Sequence, residues 1–288
     1  MSIYKNYDQA ALDSQYNNRA KVPEFEAIVQ GWQADSERVR QQLEGDLAVP
    51  YGPHEREYLD VFPAASAAAP VQVFFHGGYW HSLDTSLFDF IAEGFVRQGV
   101  TTVLVDYPLT PRVTMDGLLA ACRRAMIWLH QHVANYNGDP QQLYLSGHSA
   151  GGHIVAMLLA TAWREWADEV PEQLIRGGCA ISGLFDLTPI RLSYVNDKVG
   201  LDEATANRNS PARLSPASAS PLIVAVGEAE SDEYQAQSRD LAAAWRKHAP
   251  ITEVTVPGAN HFTVLQALAQ PGRSLHQAIL AQMGVDWG

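Results

Sequence analysis

One serine in the chain stands in the surroundings that a hydrolytic nucleophile requires. Residues 147–151 read G-H-S-A-G, which fits the pattern G-x-S-x-G around Ser149. The motif follows an apolar stretch at 143–145 and precedes an apolar helical pattern at 152–166. A serine on a sharp turn between a strand and a helix is presented to substrate, and the N-terminus of that helix favours developing negative charge. Ser149 is therefore the predicted nucleophile.

A glycine-rich segment earlier in the chain could stabilise the oxyanion that forms when a nucleophile attacks a carbonyl. Residues 76–80 read H-G-G-Y-W and directly follow the apolar run at 71–75. Glycines let backbone N–H groups approach a substrate closely, and a His-Gly-Gly loop after an early strand accompanies the serine turn in hydrolases of this kind. We expect the N–H of Gly77 or Gly78, together with that of Ala150, to form the oxyanion hole.

The chain has ten histidines, and one of them has the position of a general base. His261 lies in the sequence P-G-A-N-H-F, after the last predicted strand and before the last predicted helix. A histidine on a loop at the carboxyl edge of a sheet can reach the serine, and the order nucleophile, acid, base along the chain requires a late histidine. The other nine lie in helical patterns, near the first strand or within the two motifs above, so His261 is the predicted base.

Three carboxylates after the apolar run at 222–226 compete for the role of the acid: Glu228, Glu230 and Asp232. The acid must hold the imidazole in its productive tautomer and stabilise the imidazolium. Glu230 is favoured over Asp232 because it lies nearer the carboxyl edge of the sheet, where the three groups must converge. Asp232 and Glu228 stay open as alternatives. A carboxylate that is not the acid belongs to a solvated turn or to the acidic first turn of the next helix.

These residues require a scaffold of buried strands separated by helices. Continuous apolar runs predict strands that helices cover on both faces, and their alternation with helical patterns predicts a parallel sheet with crossovers. The predicted fold is α/β: a mostly parallel twisted sheet with helices on both faces. The predicted strands lie at 55–62, 71–75, 101–105, 143–145, 178–181, 222–226 and 253–256, and the predicted helices at 87–98, 115–133, 152–166, 233–248 and 262–283.

We interpret residues 1–288 as one α/β domain with two additions. Residues 1–48 are polar and helix-like, and we expect two short helices there, broken near Pro23. Residues 186–220 carry proline, asparagine and serine but no clear strand. Because a connection this long between two core strands is usually functional, we predict that it forms a lid or cap.

Composition and charge limit the kinds of molecule that this protein is expected to bind. A formal net charge of −12 argues against nucleic acid and against anionic membranes. The sequence shows neither a signal-peptide pattern nor an apolar run of the ~18 residues that a membrane span needs, so we expect a cytoplasmic protein. The two cysteines, Cys122 and Cys179, are expected to be buried free thiols.

The sequence has neither zinc-ligand spacing nor an H-E-x-x-H motif, so we expect no metal and no other cofactor. We expect a small molecule as substrate. The oligomeric state, monomer or homodimer, stays open.

Seven segments spread over the chain are similar to motifs of one family. On these segments, the chain resembles α/β-hydrolases of the kynurenine formamidase (arylformamidase) type along nearly its whole length. The Gly-Gly-Tyr-Trp loop is fairly specific for this family, whereas the serine motif is shared by the superfamily. The segments are L-D-S-Q-Y-N-N-R at 12–19, H-G-G-Y-W at 76–80, D-Y-P-L-T-P at 106–111, G-H-S-A-G-G at 147–152, S-G-L-F-D-L at 182–187, N-R-N-S-P at 207–211 and V-G-E-A-E-S-D-E-Y at 226–234.

The resemblance implies hydrolysis of N-formyl-L-kynurenine to kynurenine and formate without a cofactor. Some members of the family also cleave small aryl esters. Matched residue by residue, it implies Ser149 as nucleophile, Glu230 as acid and His261 as base. The family commonly has aspartate at the acid position, so the glutamate here is a departure that is one methylene longer.

Three functions stay open on the sequence. An arylformamidase and a carboxylesterase of short acyl or aryl esters would share one acyl-enzyme mechanism. A binding protein that has kept the fold without catalysis is the third, and the presence of serine, histidine and glycines together argues against it. Tyr79, Trp80 and residues 186–200 are candidates for substrate binding, with core packing or lid structure as the alternative.

Overall fold

The computed structural model describes residues 1–286, so the last two residues of the predicted domain lie outside the described chain. Within that part, eight strands form one sheet in the order β1-β2-β4-β3-β5-β6-β7-β8. The strands are β1 Asp46–Pro50, β2 Tyr58–Phe62, β3 Ala69–Phe75, β4 Thr101–Val105, β5 Gly138–His148, β6 Ile175–Ile181, β7 Leu222–Gly227 and β8 Ile251–Val256.

The α-helices in residues 1–286 fall mostly between strands, as crossovers require. The helices are α1 Gln9–Tyr16, α2 Asn18–Lys21, α3 Phe25–Gln42, α4 Phe90–Val96, α5 Met115–His132, α6 Ala150–Leu159, α7 Thr188–Leu192, α8 Asn196–Val199, α9 Glu203–Arg208, α10 Asp232–Trp245, α11 Leu265–Ala269 and α12 Ser274–Met283. None of the helices in this part of the chain is long and apolar enough to cross a membrane.

The six neighbouring strands β4, β3, β5, β6, β7 and β8 are parallel. At one edge of the sheet, β2 pairs with β4 and β1 pairs with β2, and both of these pairings are antiparallel. Side chains alternate between two apolar cores along the central strands: Val73 and Phe75 belong to one core, and Phe74 to the other. Helices α5, α6 and α10 contribute to the first core, and α4, α11 and α12 to the second. The predicted fold, a mostly parallel sheet with helices on both faces, is confirmed.

Two departures from the predicted elements have plain physical reasons. Strand β1 was not predicted, because it is a short edge strand with mostly exposed residues and lacks the apolar run that marks a buried strand. The last predicted helix is two helices, α11 and α12, because Pro271 cannot continue a helix and Gly272 takes a φ of 79°.

The two predicted additions differ in structure. Residues 1–48 hold three helices rather than two, and the third, α3, spans 18 residues. The break near Pro23 is present, between α2 and α3. Residues 186–220 form the short helices α7, α8 and α9 and no strand.

Helix α6 approaches strand β3 so closely that residue 151 has no room for a side chain. A Cβ atom added to Gly151 would lie 1.9 Å from the carbonyl oxygen of Phe75. By contrast, a Cβ added to Gly31, inside α3, would meet no atom within 4 Å. Close packing therefore requires glycine at position 151, whereas position 31 has room for a side chain.

We expect Gly151→Ala to lower the free energy of unfolding by about 1–3 kcal/mol, because the helix must move away from the sheet. Gly31→Ala is the matched control, and it should raise that free energy by roughly 0.5–1 kcal/mol because alanine favours the helix. Urea denaturation of both variants beside the parent chain measures the difference. Equal and small effects would contradict the close packing of α6 on β3.

Candidate active site

Ser149 occupies the turn between β5 and α6 in a conformation that few non-glycine residues adopt. Its φ is 58° and its ψ is −118°. The N–H of Ser149 donates to the carbonyl oxygen of Ile181 at 2.8 Å, which ties the turn to the neighbouring strand β6. Ser149 thus follows a central strand and immediately precedes the N-terminus of α6, which is the arrangement that the sequence motif predicts.

His261 and Glu230 are joined by a short hydrogen bond. His261 Nδ1 lies 2.7 Å from Glu230 Oε2, and both side chains are buried. The other carboxylate oxygen accepts from the N–H of Gly227 at 2.7 Å and from the hydroxyl of Ser182. Because Nδ1 is engaged by the carboxylate, Nε2 is the atom of the imidazole that could receive a proton.

The other two carboxylates of this segment do not reach the histidine. Glu228 is exposed and accepts from the N–H of Gly258 at 2.8 Å. Asp232 is exposed and is the first residue of α10, where a carboxylate interacts favourably with the helix dipole. Of the three candidates, the structure brings only Glu230 to His261.

The glycine loop after β3 lies directly against the serine turn. A Cβ atom on Gly77 would be 3.1 Å from Ser149 Cβ, and one on Gly78, whose φ is 111°, would be 2.1 Å from the carbonyl oxygen of Ser82. His76 Nδ1 donates to the carbonyl oxygen of Gly77 at 2.7 Å. That carbonyl and the N–H of Gly78 belong to one planar peptide and point in opposite directions, so His76 fixes the direction of the Gly78 N–H.

Ala150 is the first residue of α6, so no residue within the helix accepts from its N–H. Ala150 directly follows Ser149, and Gly77 lies against the same turn, since a Cβ atom added to Gly77 would be 3.1 Å from both the carbonyl oxygen of His148 and Ser149 Cβ. Of the residues predicted to supply oxyanion donors, Gly77 and Ala150 therefore both adjoin Ser149, and Gly78 is the next residue of the loop.

A cavity of about 630 Å³ opens over the serine and the histidine. Helices α2 and α3, with the residues that connect α1 to them, form much of its wall, whereas residues 186–220 contribute only two of its lining residues in the described chain. Tyr79 lines the cavity. The apolar part of the wall consists of Phe25, Val29, Trp32, Leu83, Leu87, Phe88, Val195 and Phe262.

Trp80 is not among the residues that line this cavity. Its side chain is fully buried in the apolar core, and its indole N–H donates to His153 Nδ1 at 3.2 Å. The other ring nitrogen of His153 lies 2.8 Å from the carbonyl oxygen of Asn209 and donates to it. Trp80 thus has the packing role that the sequence left as an alternative to substrate binding.

Tyr234 lies beside both the serine and the histidine, and the sequence analysis did not single it out. Its ring centroid is 4.5 Å from that of His261. Its hydroxyl accepts from Asn18 Nδ2 at 3.0 Å and lies 2.7 Å from the hydroxyl of Tyr79. Burial raises the pKa of Tyr234, so the phenol keeps its proton at neutral pH. The hydroxyl of Ser149 is one of the groups beside this phenol. Tyr234 ends the family-like segment at 226–234, which was the available signal.

His148, inside the serine motif, supports the loop of the predicted base. Its Nε2 donates to the backbone carbonyl oxygen of His261 at 2.7 Å, and the two ring centroids are 4.7 Å apart. Burial holds the pKa of His148 well below its usual range, so this imidazole is neutral. Ser182, at the end of β6, similarly supports Glu230, and it opens the family-like segment at 182–187.

Known proteins are similar to this chain in fold and in sequence. The family described by an alpha/beta hydrolase fold matches residues 72–265. A kynurenine formamidase from Salmo salar is 33% identical, and the match covers 99% of each chain. Esterase LipQ from Mycobacterium tuberculosis is 28% identical over 83% of this chain and 62% of its own. The crystal structure of a proposed thioesterase from Silicibacter sp. TM1040 has a TM-score of 0.82 and 29% identity, covering 95% of this chain and 98% of that one.

The chain belongs to the α/β-hydrolase fold family, and within it to the family of the kynurenine formamidases. It is accordingly an enzyme of the α/β-hydrolase class.

Because Trp80 is buried in the core, its substitution should affect stability. Trp80→Phe should lower the free energy of unfolding by about 2–4 kcal/mol, because it leaves His153 Nδ1 without its donor and creates a cavity in the core. Thermal unfolding measures the loss. The variant should destabilise the chain much more than Phe25→Leu, which changes a cavity-lining residue. A change in KM without a loss of stability would instead favour substrate binding by Trp80.

Proposed function

We propose that this enzyme hydrolyses aryl formamides of the N-formylkynurenine type through a formyl-enzyme on Ser149, with His261 as base and Glu230 as the acid that orients it. The observation that carries the proposal is the 2.7 Å contact between His261 and Glu230 beneath the same cavity that Ser149 lines. The full-length similarity to a kynurenine formamidase supports the choice of a formamide as substrate.

In the first half of the reaction, Ser149 Oγ attacks the formyl carbon while His261 Nε2 takes the hydroxyl proton. The negative charge that develops on the carbonyl oxygen is stabilised by the N–H of Ala150 and by one or both of the glycine N–H groups at 77 and 78. The bond between the formyl carbon and the aryl nitrogen then breaks. The imidazolium gives its proton to that nitrogen, and the aryl amine leaves.

In the second half, a water molecule loses a proton to His261 and attacks the formyl-enzyme. The tetrahedral species collapses, the bond to Ser149 Oγ breaks and formate is released, while the serine regains its proton. Glu230 keeps Nδ1 of the imidazole protonated throughout, and its negative charge stabilises the imidazolium in both halves. The neutral ring of His148 adds no opposing positive charge beside it.

A carboxylesterase is the second candidate, because an esterase is 28% identical over 83% of this chain. The same groups would then release an alcohol or phenol in place of the aryl amine. The aromatic and aliphatic part of the cavity wall suits an aryl group in either reaction. The comparison that separates the two is the rate on N-formylkynurenine against the rate on aryl acetates.

We keep a single α/β domain as the organisation of the chain, with helices α2 and α3 rather than residues 186–220 as the larger part of the cavity cover. This division is supported by the lining residues, because residues 17–32 supply seven of them and residues 186–220 supply two. The cytoplasmic location and the action of 186–220 as a lid stay predictions, and the oligomeric state, with a homodimer as one candidate, stays open.

Ser149→Ala should reduce kcat by a factor on the order of 10⁶, because the nucleophile is lost while the fold is kept. The parent enzyme should also be labelled by a fluorophosphonate probe, and the variant should not. Unchanged thermal unfolding is the control for folding. More than about a hundredth of the parent rate remaining in the variant would refute Ser149 as nucleophile.

Glu230→Gln should lower kcat roughly 10⁴-fold, the scale observed when the acid of a triad loses its charge. Asp232→Asn is the matched control, because it makes the same chemical change two residues away on an exposed helix start. It should cost no more than about tenfold. Both are assayed side by side on one ester. Greater damage from Asp232→Asn would overturn the assignment of the acid.

A further inference from the structure

Two charged side chains of opposite sign line the cavity beside its aromatic wall. Arg19 belongs to α2, and Glu26 to the first turn of α3. The other ionisable side chains that line the cavity are histidines and tyrosines. Among them, burial lowers the pKa of His81, which favours its neutral form. In the part of the chain that the structure describes, the fixed charge on the cavity wall therefore consists of one cation and one anion.

Neither charge is paired within the protein. Among residues 1–286, no carboxylate lies within 4.0 Å of the Arg19 guanidinium, and no lysine, arginine or histidine lies within that distance of the Glu26 carboxylate. Arg40, in helix α3, shows the contrast, because its guanidinium pairs with Asp89 at 2.6 Å. The guanidinium of Arg19 lies 4.8 Å from the centroid of Phe25, over its ring.

The residue before Arg19, Asn18, connects helix α2 to the groups beside the nucleophile. The buried amide of Asn18 donates to the hydroxyl of Tyr234 at 3.0 Å, and Tyr234 packs against His261. The hydroxyl of Tyr79 extends this network, because it donates to the carbonyl oxygen of Tyr16 at 2.6 Å. The short helix α2 is thus tied through Asn18 to the reacting groups, and Arg19, an exposed residue that lines the cavity, is the next residue of that helix.

We propose that Arg19 and Glu26 form the specificity site for a zwitterionic α-amino acid group on the aryl part of the substrate. Arg19 binds the carboxylate, with the fork geometry that guanidinium and carboxylate share, and Glu26 binds the ammonium. The aryl ring occupies the aromatic wall between these charges and Ser149. This inference rests on the proposed function and names the residues that would restrict it to amino acid substrates.

Arg19 and Glu26 are exposed, so with an uncharged aryl ester or amide their charges would be met by solvent alone. A zwitterion supplies one partner to each, and it adds no net charge to the site. The proposal therefore predicts a preference for zwitterionic over neutral substrates that have the same reacting bond and the same aryl ring.

Two matched substrate pairs test this preference. The formamide pair is N-formyl-L-kynurenine and 2-formamidoacetophenone, which lacks the amino acid group. The ester pair is O-acetyl-L-tyrosine and 4-methylphenyl acetate, and it works whether or not the enzyme cleaves formamides. The measured quantity is the ratio of kcat/KM for the zwitterion to kcat/KM for the neutral partner, in Arg19→Gln, Glu26→Gln and the parent enzyme.

Arg19→Gln should lower this ratio on the order of 10- to 100-fold, mainly through KM, because a charge-assisted contact made equally in ground and transition states is lost. Glu26→Gln should lower it in the same direction. Arg239→Gln is the control, since Arg239 is exposed on α10 and does not line the cavity. Its ratio should equal that of the parent enzyme.

The outcomes separate this inference from the proposed function. Ratios within about twofold of the parent in both Arg19→Gln and Glu26→Gln would overturn the specificity site and leave the hydrolase assignment intact. A parent enzyme that cleaves both esters but neither formamide would overturn the formamidase proposal, and the ester ratio would still decide the role of Arg19 and Glu26.

Discussion

The backbone of Ser149, with its φ of 58°, is the constraint around which the molecule is arranged. A non-glycine residue in this region costs on the order of 1–3 kcal/mol, and it persists only where the surroundings leave no alternative. Here the surroundings are the bond from its N–H to Ile181 and the contact of two glycines, since a Cβ on Gly147 would lie 2.3 Å from the carbonyl oxygen of Gly151. The turn is therefore held by β5, β6 and α6 together.

The parallel order of the sheet extends this constraint to the other groups of the site. Ser149 follows β5, Ser182 follows β6, Glu230 follows β7 and His261 follows β8, and these four strands are neighbours in the sheet. Their carboxyl ends lie at one edge, so a line of hydrogen bonds runs from the hydroxyl of Ser182 through the carboxylate of Glu230 to the imidazole. Each side chain needs only a short loop to reach its partner.

The central strands could be predicted because burial on both faces leaves continuous apolar runs, and Ser149 and His261 because their motifs have a fixed order along the chain. The sequence favoured Glu230 as the acid but could not exclude Asp232, since the choice depends on where α10 begins, and helix ends are poorly marked in sequence. The contribution of helices α2 and α3 to the cavity wall could not be predicted, for another reason. Polar residues such as Arg19 resemble any solvated surface until long-range packing places them beside the serine.

The family match covers residues 72–265, which include Ser149, Glu230 and His261, whereas both charged side chains of the cavity wall and part of its aromatic surface come from residues before 33. The cavity is therefore assembled from two separate stretches of chain. A substitution before residue 33 can change the charge and shape of the cavity without altering the strands that hold Ser149, Glu230 and His261 in place.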